Sequence, residues 1–341
     1  MRRVVVGLSG GVDSSVAAVL LKEEGYEVEG VSLSLWPGAC TLDAQRVAES
    51  LGIGFEAVEA GGLFRQQVIA PFIRAYRNGQ TPNPCVLCNR FLKFGLLLEH
   101  ARARGAKLAT GHYARISQAE AGFRLRRARS LAKDQSYFLF TLKEEALKDI
   151  LFPLGDFCKE EVRALAQSYG LPTASKPDSM EVCFIPPEGY VHFLEGEGVK
   201  MPSGEVIDKE GRVLGHHPGL HHFTIGQRRG LGHLGKSTPQ YVVRLEAVSN
   251  RLVIGEKEEV LGSRFVLHEP SWLCGTPPLQ RRLRISVRYR HAGVMGQLLH
   301  EGETWRVELE EPINAIAPGQ AAVFYEGEEV LGGGWIGEGG V

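Results

Sequence analysis

Ser9-Gly10-Gly11-Val12-Asp13-Ser14-Ser15 follows the apolar run Val4-Val5-Val6-Gly7-Leu8 and precedes a helical pattern, and this junction decides the fold. The apolar run predicts a buried strand of a parallel sheet, and Val16, Val19 and Leu20 recur at i, i+3 and i+4 as the core face of the next helix. An anion is then expected at that helix's N-terminus. Gly10 and Gly11 let the backbone turn tightly and approach it, while Ser9, Ser14 and Ser15 offer oxygens beside unpaired N–H groups. The reading is an ATP pyrophosphate loop. Asp13 is a carboxylate in an anion site, so it is expected to hold Mg²⁺ or to order the donors around the pyrophosphate. The lysine of G-x-x-x-x-G-K-[ST] and the spacing of G-x-G-x-x-G are both missing, which argues against Walker-type and dinucleotide sites.

With 341 residues, 43% of them hydrophobic, the chain can bury a large core and divide into two or three domains. No charged-then-apolar leader precedes the first strand, and no run of about 18 apolar residues occurs. A cytoplasmic location without membrane attachment is expected. Six cysteines are too few for a disulfide scaffold in so long a chain, so they are expected to bind metal, react or pack. A net charge of −1 leaves nucleic acid open, and only local clustering of charge decides it.

Up to about residue 112 strands and helices alternate. Val28 to Leu35, Ile53 to Val58 and Ala106 to Thr110 read as strands, and Ser14 to Glu24, Asp43 to Leu51, Phe64 to Arg77 and Phe91 to Arg104 as helices. That order predicts a doubly wound parallel sheet with ligands at the carboxyl ends of its strands. Residues 113–131 read as an inserted hairpin, and Lys143 to Ile150 and Lys159 to Tyr169 as helices. The boundaries expected are 1–195 for the catalytic α/β domain, 196–264 for a small β-rich central domain and 265–341 for a C-terminal β-barrel. The barrel includes Arg282 to Arg290, Thr304 to Leu309 and Ala321 to Phe324. His216, His217, His221 and His222 have no adjacent acid or cysteine, so they are read as hydrogen-bonding surface residues.

Cys85 and Cys88 stand one helical turn apart behind the rigid turn Thr81-Pro82-Asn83-Pro84. A helix N-terminus with Arg90 and Lys93 nearby is expected to favour thiolate at both. Cys183, in Val182-Cys183-Phe184-Ile185, reads equally as a core residue or as a partner to them. Cys40, Cys158 and Cys274 are expected to pack. If Arg282 to Arg290 is one strand, Leu283, Ile285, Val287 and Tyr289 face inward, and Arg282, Arg284, Ser286, Arg288 and Arg290 form a stripe for phosphates. Arg228 and Arg229, with Arg124, Arg126, Arg127 and Arg129 of the hairpin, are expected to extend it.

Taken together, the Ser9 loop, Thr81-Pro82-Asn83-Pro84 with Cys88-Asn89, Gly111-His112-Tyr113 and Lys133-Asp134-Gln135-Ser136-Tyr137 resemble the tRNA-specific 2-thiouridylases. The likeness continues through Cys183-Phe184-Ile185, His222 to Gly232, Arg288-Tyr289-Arg290 and Pro318-Gly319-Gln320, so it spans nearly the whole chain. It implies an adenine nucleotide alpha-hydrolase-like (HUP) domain that adenylates O2 of the wobble uridine (U34) in a tRNA anticodon stem-loop. Sulfur then displaces AMP and 2-thiouridine forms. It further implies ATP at Gly7, Leu8, Ser9, Gly10, Gly11, Val12, Asp13, Ser14, Leu33 and Gly111. Sulfur would arrive as a persulfide on Cys183, loaded by a cysteine desulfurase or relay carrier. Cys88 would be its nucleophilic partner, releasing hydrosulfide or closing a Cys88–Cys183 disulfide. Asn83, Pro84, Cys85, His112, Lys133, Asp134, Gln135, Arg288, Tyr289 and Gln320 would face the target base or the tRNA.

Two departures from that family pattern matter. Many members carry aspartate where this chain has Cys85, and an acidic insertion where it runs from Trp36-Pro37-Gly38 to Thr41. Three thiols leave a second sulfur carrier open, a [4Fe–4S] cluster on Cys85, Cys88 and Cys183 whose fourth iron holds hydrosulfide. Two other readings stay in view: a ligase of the same superfamily that adenylates a carboxylate or ureido group, and an RNA-binding protein that only holds ATP.

Overall fold

A computed structural model describes residues 2–36, 41–120, 122–177, 182–231 and 238–337. Cys40 lies outside them. The first sheet is parallel throughout, in the order Gly54–Glu59, Glu27–Ser34, Arg3–Gly7, Lys107–Thr110 and Ile150–Leu151. Val4, Val5 and Val6 are fully covered because helices pack on both faces, the condition under which a strand reads as a continuous apolar run. Chain order reverses between Arg3–Gly7 and Lys107–Thr110. That switch point opens the crevice where such sheets bind ligands, and both the Ser9 loop and Gly111-His112 leave the sheet there.

One expected helix is replaced. Only Glu144–Leu147 of the segment from Lys143 to Ile150 is helical, and Ile150–Leu151 pairs with Leu108 and Ala109 as a fifth strand. The central unit is a four-stranded sheet in the order Tyr241–Glu246, Arg251–Gly255, Gly204–Ile207 and Val213–His217. The C-terminal unit is a six-stranded barrel, closed by antiparallel pairing of Leu261–Trp272 with Glu329–Ile336.

The hairpin expected as an insertion in the first domain joins that barrel. Ala114–Ala119 and Gly122–Arg127 pair antiparallel, Arg126 faces Glu329, and the Arg127 amide donates to the Glu328 carbonyl at 2.8 Å. The domains are therefore welded by main-chain bonds. Among the described residues no helix is long and apolar enough to cross a membrane.

Candidate active site

The Ser9 loop is braced from within. The Ser9 amide donates to Ser14 Oγ at 3.1 Å, and Ser15 Oγ donates to the Gly11 carbonyl at 2.8 Å at the start of helix Val12–Glu23. Leu8 and Val12 are buried in the core, so at those positions only backbone faces the crevice. Gly10 has φ +69°, and a Cβ there would stand 2.8 Å from Cβ of Asp43. Gly111 matters more. A Cβ on it would meet the Ser14 amide nitrogen at 2.6 Å, so the loop after Lys107–Thr110 touches the helix N-terminus only because that residue has no side chain. Leu33 sits at the end of Glu27–Ser34, half-buried beside the same crevice.

Two lysines complete this region, and nothing in their local sequence marks them. Lys159, buried at the start of helix Lys159–Ser168, donates to Asp13 Oδ1 at 2.6 Å, and the Tyr113 hydroxyl donates to the same oxygen at 2.8 Å. Lys176 donates to the Gly10 carbonyl at 2.9 Å and to Asp43 at 2.8 Å, and this contact holds the Asp43 carboxyl below the usual range. Oδ1 of Asp13 is thus taken by an ammonium and a phenol, and Oδ2 of Asp43 by Lys176. These residues therefore fit the other role expected of Asp13, ordering the donors at the loop.

Cys85 and Cys88 lie on Pro84–Cys88, the first turns of a helical run that continues through Asn89–Leu96 and Leu97–Ala103. Cys88 packs in the apolar cluster that includes Phe91 and Phe184, which brings the segment of Cys183 to it. Both helix thiols are pushed up, not down. Desolvation is the larger cause and Lys93 opposes it, so the expected thiolate stabilisation is outweighed by burial. Arg90 contributes to neither shift, and it lies over the Phe91 ring and 4.0 Å from Glu269. Cys183 reaches solvent, yet protein surrounds most of its thiol. Desolvation, then Cys88 and Cys85, push it to about 12, against Lys93. The three thiols thus lie close enough to influence one another. Because a raised pKa means less thiolate at neutral pH, alkylation of Cys183 by iodoacetamide at pH 7.5 is expected to be at least ~10-fold slower than that of free cysteine. The rate should climb about tenfold per pH unit above pH 9, and a plateau near pH 8 by peptide mass mapping would contradict this.

His112 links the thiols to the loop. It follows Gly111, its Nδ1 is 2.6 Å from Thr110 Oγ1, and its Nε2 is 3.4 Å from Lys93 Nζ. Burial and then Lys93 hold its pKa well below the ordinary value, so the ring is neutral.

Several expected tRNA-facing residues turn inward. Asp134 is buried and accepts from Arg127 Nε at 2.9 Å, from Ser136 Oγ at 2.9 Å and from the amides of Ala128 and Ser136. Gln135 accepts from the Tyr113 amide at 3.0 Å, and Lys133 is half-buried in the preceding turn. Gln320 donates to the Thr81 and Pro82 carbonyls at 3.0 and 3.2 Å, bracing the turn before Asn83 and Pro84, both buried. Only Leu283–Ser286 of the proposed arginine strand is a strand, because Arg290 takes φ +61° and residues 287–290 turn. Ser286 is buried rather than on the stripe. Arg282 pairs with Glu310, Arg284 donates to the Gly293 carbonyl, and Arg124, Arg127 and Arg129 pair with Glu144, Asp134 and Glu161. Four of these arginines therefore face acidic partners, whereas Arg284 meets only a neutral carbonyl. Arg288 and Arg290 remain exposed and, with Tyr289, Tyr137 and Asp134, line a cavity of about 290 Å³ between the barrel and the first domain. Arg228 and Arg229 are exposed as well. Of the other cysteines, Cys158 caps helix Lys159–Ser168, while Cys274 is exposed and does not pack.

Comparison with known proteins covers almost the whole chain. Residues 2–187 match the "tRNA methyl transferase HUP domain", 191–256 the "tRNA methyl transferase PRC-barrel domain" and 262–336 the "Aminomethyltransferase beta-barrel domain". A tRNA-specific 2-thiouridylase MnmA of Geobacter metallireducens is 46% identical, with 98% of this chain and 96% of that protein covered. One from Pelobacter propionicus is 47% identical over 98% and 97%, and one from Trichlorobacter lovleyi 45% identical over 98% of both. With this likeness along its length, the chain belongs to the tRNA-specific 2-thiouridylase family.

Proposed function

We propose that the chain adenylates O2 of the wobble uridine of tRNA with ATP and replaces that oxygen by sulfur from a persulfide on Cys183. The observation that carries the reading is the continuity from Ser14 through Gly111 and His112 to Lys93 and the thiols. A nucleotide at the loop and a base at the thiols would then meet over His112. ATP lies along Gly7 to Ser14, with Leu33 and Gly111 beside it, and Mg²⁺ arrives on the triphosphate as part of the substrate.

Uracil O2 attacks the α-phosphorus and pyrophosphate leaves, which converts a poor leaving group into AMP. Lys159, Lys176 and the helix N-terminus stabilise the departing charge. Cys183, charged by a sulfur-donor protein such as a cysteine desulfurase or relay carrier, attacks C2 through its terminal persulfide sulfur and AMP departs. Cys88 thiolate then attacks Sγ of Cys183. The S–S bond to the transferred sulfur breaks, a Cys88–Cys183 disulfide forms, and the electron pair left on sulfur completes the thiocarbonyl. An external dithiol reduces the disulfide. A persulfide is more acidic than a thiol, so the high resting pKa of Cys183 does not block the attacking species.

Cys85 supports a second reading, because its thiol lies near those of Cys88 and Cys183. Three cysteine thiols are a fitting donor set for a [4Fe–4S] cluster, which would supply an iron that carries hydrosulfide. Cys85→Ser separates the two. The persulfide route predicts thiolation within about threefold of wild type, whereas a cluster route predicts loss of ~100-fold or more with loss of bound iron and sulfide. The overall reading is tested by nucleoside mass analysis after incubation of unmodified tRNA with ATP and a persulfide donor. One pyrophosphate per 2-thiouridine is expected. Pyrophosphate release that depends on a carboxylate or ureido acceptor instead of tRNA would support the ligase.

A further inference from the structure

We propose that Glu195, His221 and His222 form a binding site for a divalent transition-metal ion, zinc by its donor set, which ties the helix behind Cys183 to the central unit. The four histidines of residues 216–222 have no acid next to them in sequence, but the fold brings Glu195 to His221 and His222 from 26 and 27 positions away. Glu195 lies on helix Tyr190–Gly196, and His221 and His222 on the turn Leu220–His222. One ligand atom from each lies within 4.8 Å of the others, with His222 Nε2 4.0 Å from Glu195 Oε1 and the two imidazole centroids 4.4 Å apart.

His221 supplies the independent observation. It is only 3% exposed, and neither ring nitrogen has a hydrogen-bond partner. Leaving such a group unpaired costs ~1–3 kcal/mol per polar atom, so the ring calls for a partner. Two imidazoles and one carboxylate are the borderline donors that zinc takes at about 2.0–2.2 Å, with a fourth position for water. Closing the present spacing to such a shell needs shifts of about 1 Å. His222 and Glu195 are free to make them, with side chains 29% and 50% exposed, while His221 is fixed by Gly219, on which a Cβ would meet its ring at 2.6 Å. The consequence reaches Cys183. Phe193 on the same helix packs on Phe184 with centroids 5.1 Å apart, so fixing Glu195 also fixes the residue next to Cys183.

The test is a zinc titration of the full-length chain carrying Cys85→Ser, Cys88→Ser and Cys183→Ser, so that those thiols do not compete, with X-ray absorption at the zinc edge. Wild-type protein with its thiols capped as methyl disulfides is run in parallel, in case the triple variant misfolds. One equivalent of zinc in a nitrogen and oxygen shell is expected. Glu195→Gln on an exposed position, His222→Gln on a half-buried one, and His221→Gln should each weaken it ~100-fold or more, while His216→Gln, exposed and outside the cluster, leaves it unchanged. Zinc should also raise Tm of the parent but not of the Glu195→Gln protein. Absence of binding, or binding that survives Glu195→Gln and His222→Gln, overturns the proposal without touching the thiolation reading.

Discussion

Replacing Cys183 by serine is expected to reduce 2-thiouridine formation by ~10³-fold or more while the first turnover of tRNA-dependent pyrophosphate release keeps a rate within a few-fold of wild type. The reason is spatial and chemical at once. In the proposed reaction adenylation uses the Ser9 loop and its lysines and sulfur transfer uses the thiols, and His112 and Lys93 lie between the two. Cys88→Ser is expected to lose turnover to the same extent but to stop one step later. The persulfide sulfur has then displaced AMP and remains bonded to both C2 and Cys183, because no thiolate arrives to cut that S–S bond. Intact mass spectrometry should find the tRNA–protein adduct with Cys88→Ser and none with Cys183→Ser. A first-turnover pyrophosphate burst lost in both variants would mean that the thiols act before adenylation, contrary to the order of steps given above.

The second large effect belongs to Lys159. Lys159→Met removes the buried ammonium from Asp13 and from the pyrophosphate side of the loop, and loss of one such positioned charge typically lowers rate ~10²–10³-fold. Both pyrophosphate release and thiolation should fall together, the opposite pattern to Cys183→Ser. Asp13→Asn keeps the acceptor for Tyr113 but removes the negative charge facing Lys159, so a comparable loss is expected. Because the two side chains act as one unit, the double variant should be little worse than either single one. Full additivity in the rate of pyrophosphate release would show that Asp13 and Lys159 work independently. Asp13 is one-third exposed, so the accompanying loss of stability should stay near ~1–3 kcal/mol.

How much of this was legible in the chain depends on the range of the signal. Strand Arg3–Gly7, its loop and helix Val12–Glu23 are encoded within 21 residues, where a continuous apolar run, a Gly-Gly turn and a 3.6-residue period follow one another. Ile150–Leu151 has two residues and no period to read, so it passed for the end of a helix. Pairing of the Ala114–Arg127 hairpin with a strand some 200 residues later leaves no local trace. The same holds for function. The thiols and Asp13 stood out as residue types in a pattern, but Lys159 and Lys176 are single lysines at ordinary surface-like positions, and only the fold aims them at the loop. Charge near Cys88 was visible in Lys93; the burial that outweighs it was not. The acids that pair with Arg282, Arg124 and Arg129 were equally hidden, since Glu310, Glu144 and Glu161 come from other elements.

Oxygen tracing tests the central claim, that uracil O2 leaves on AMP, most directly. Unmodified tRNA carrying ¹⁸O at O2 of the wobble uridine is incubated with ATP and the persulfidated protein, and AMP, pyrophosphate and nucleosides are analysed by mass spectrometry. The label is expected in AMP in a one-to-one ratio with 2-thiouridine, with none in pyrophosphate. Formation of 2-thiouridine alongside unlabelled AMP would contradict the account.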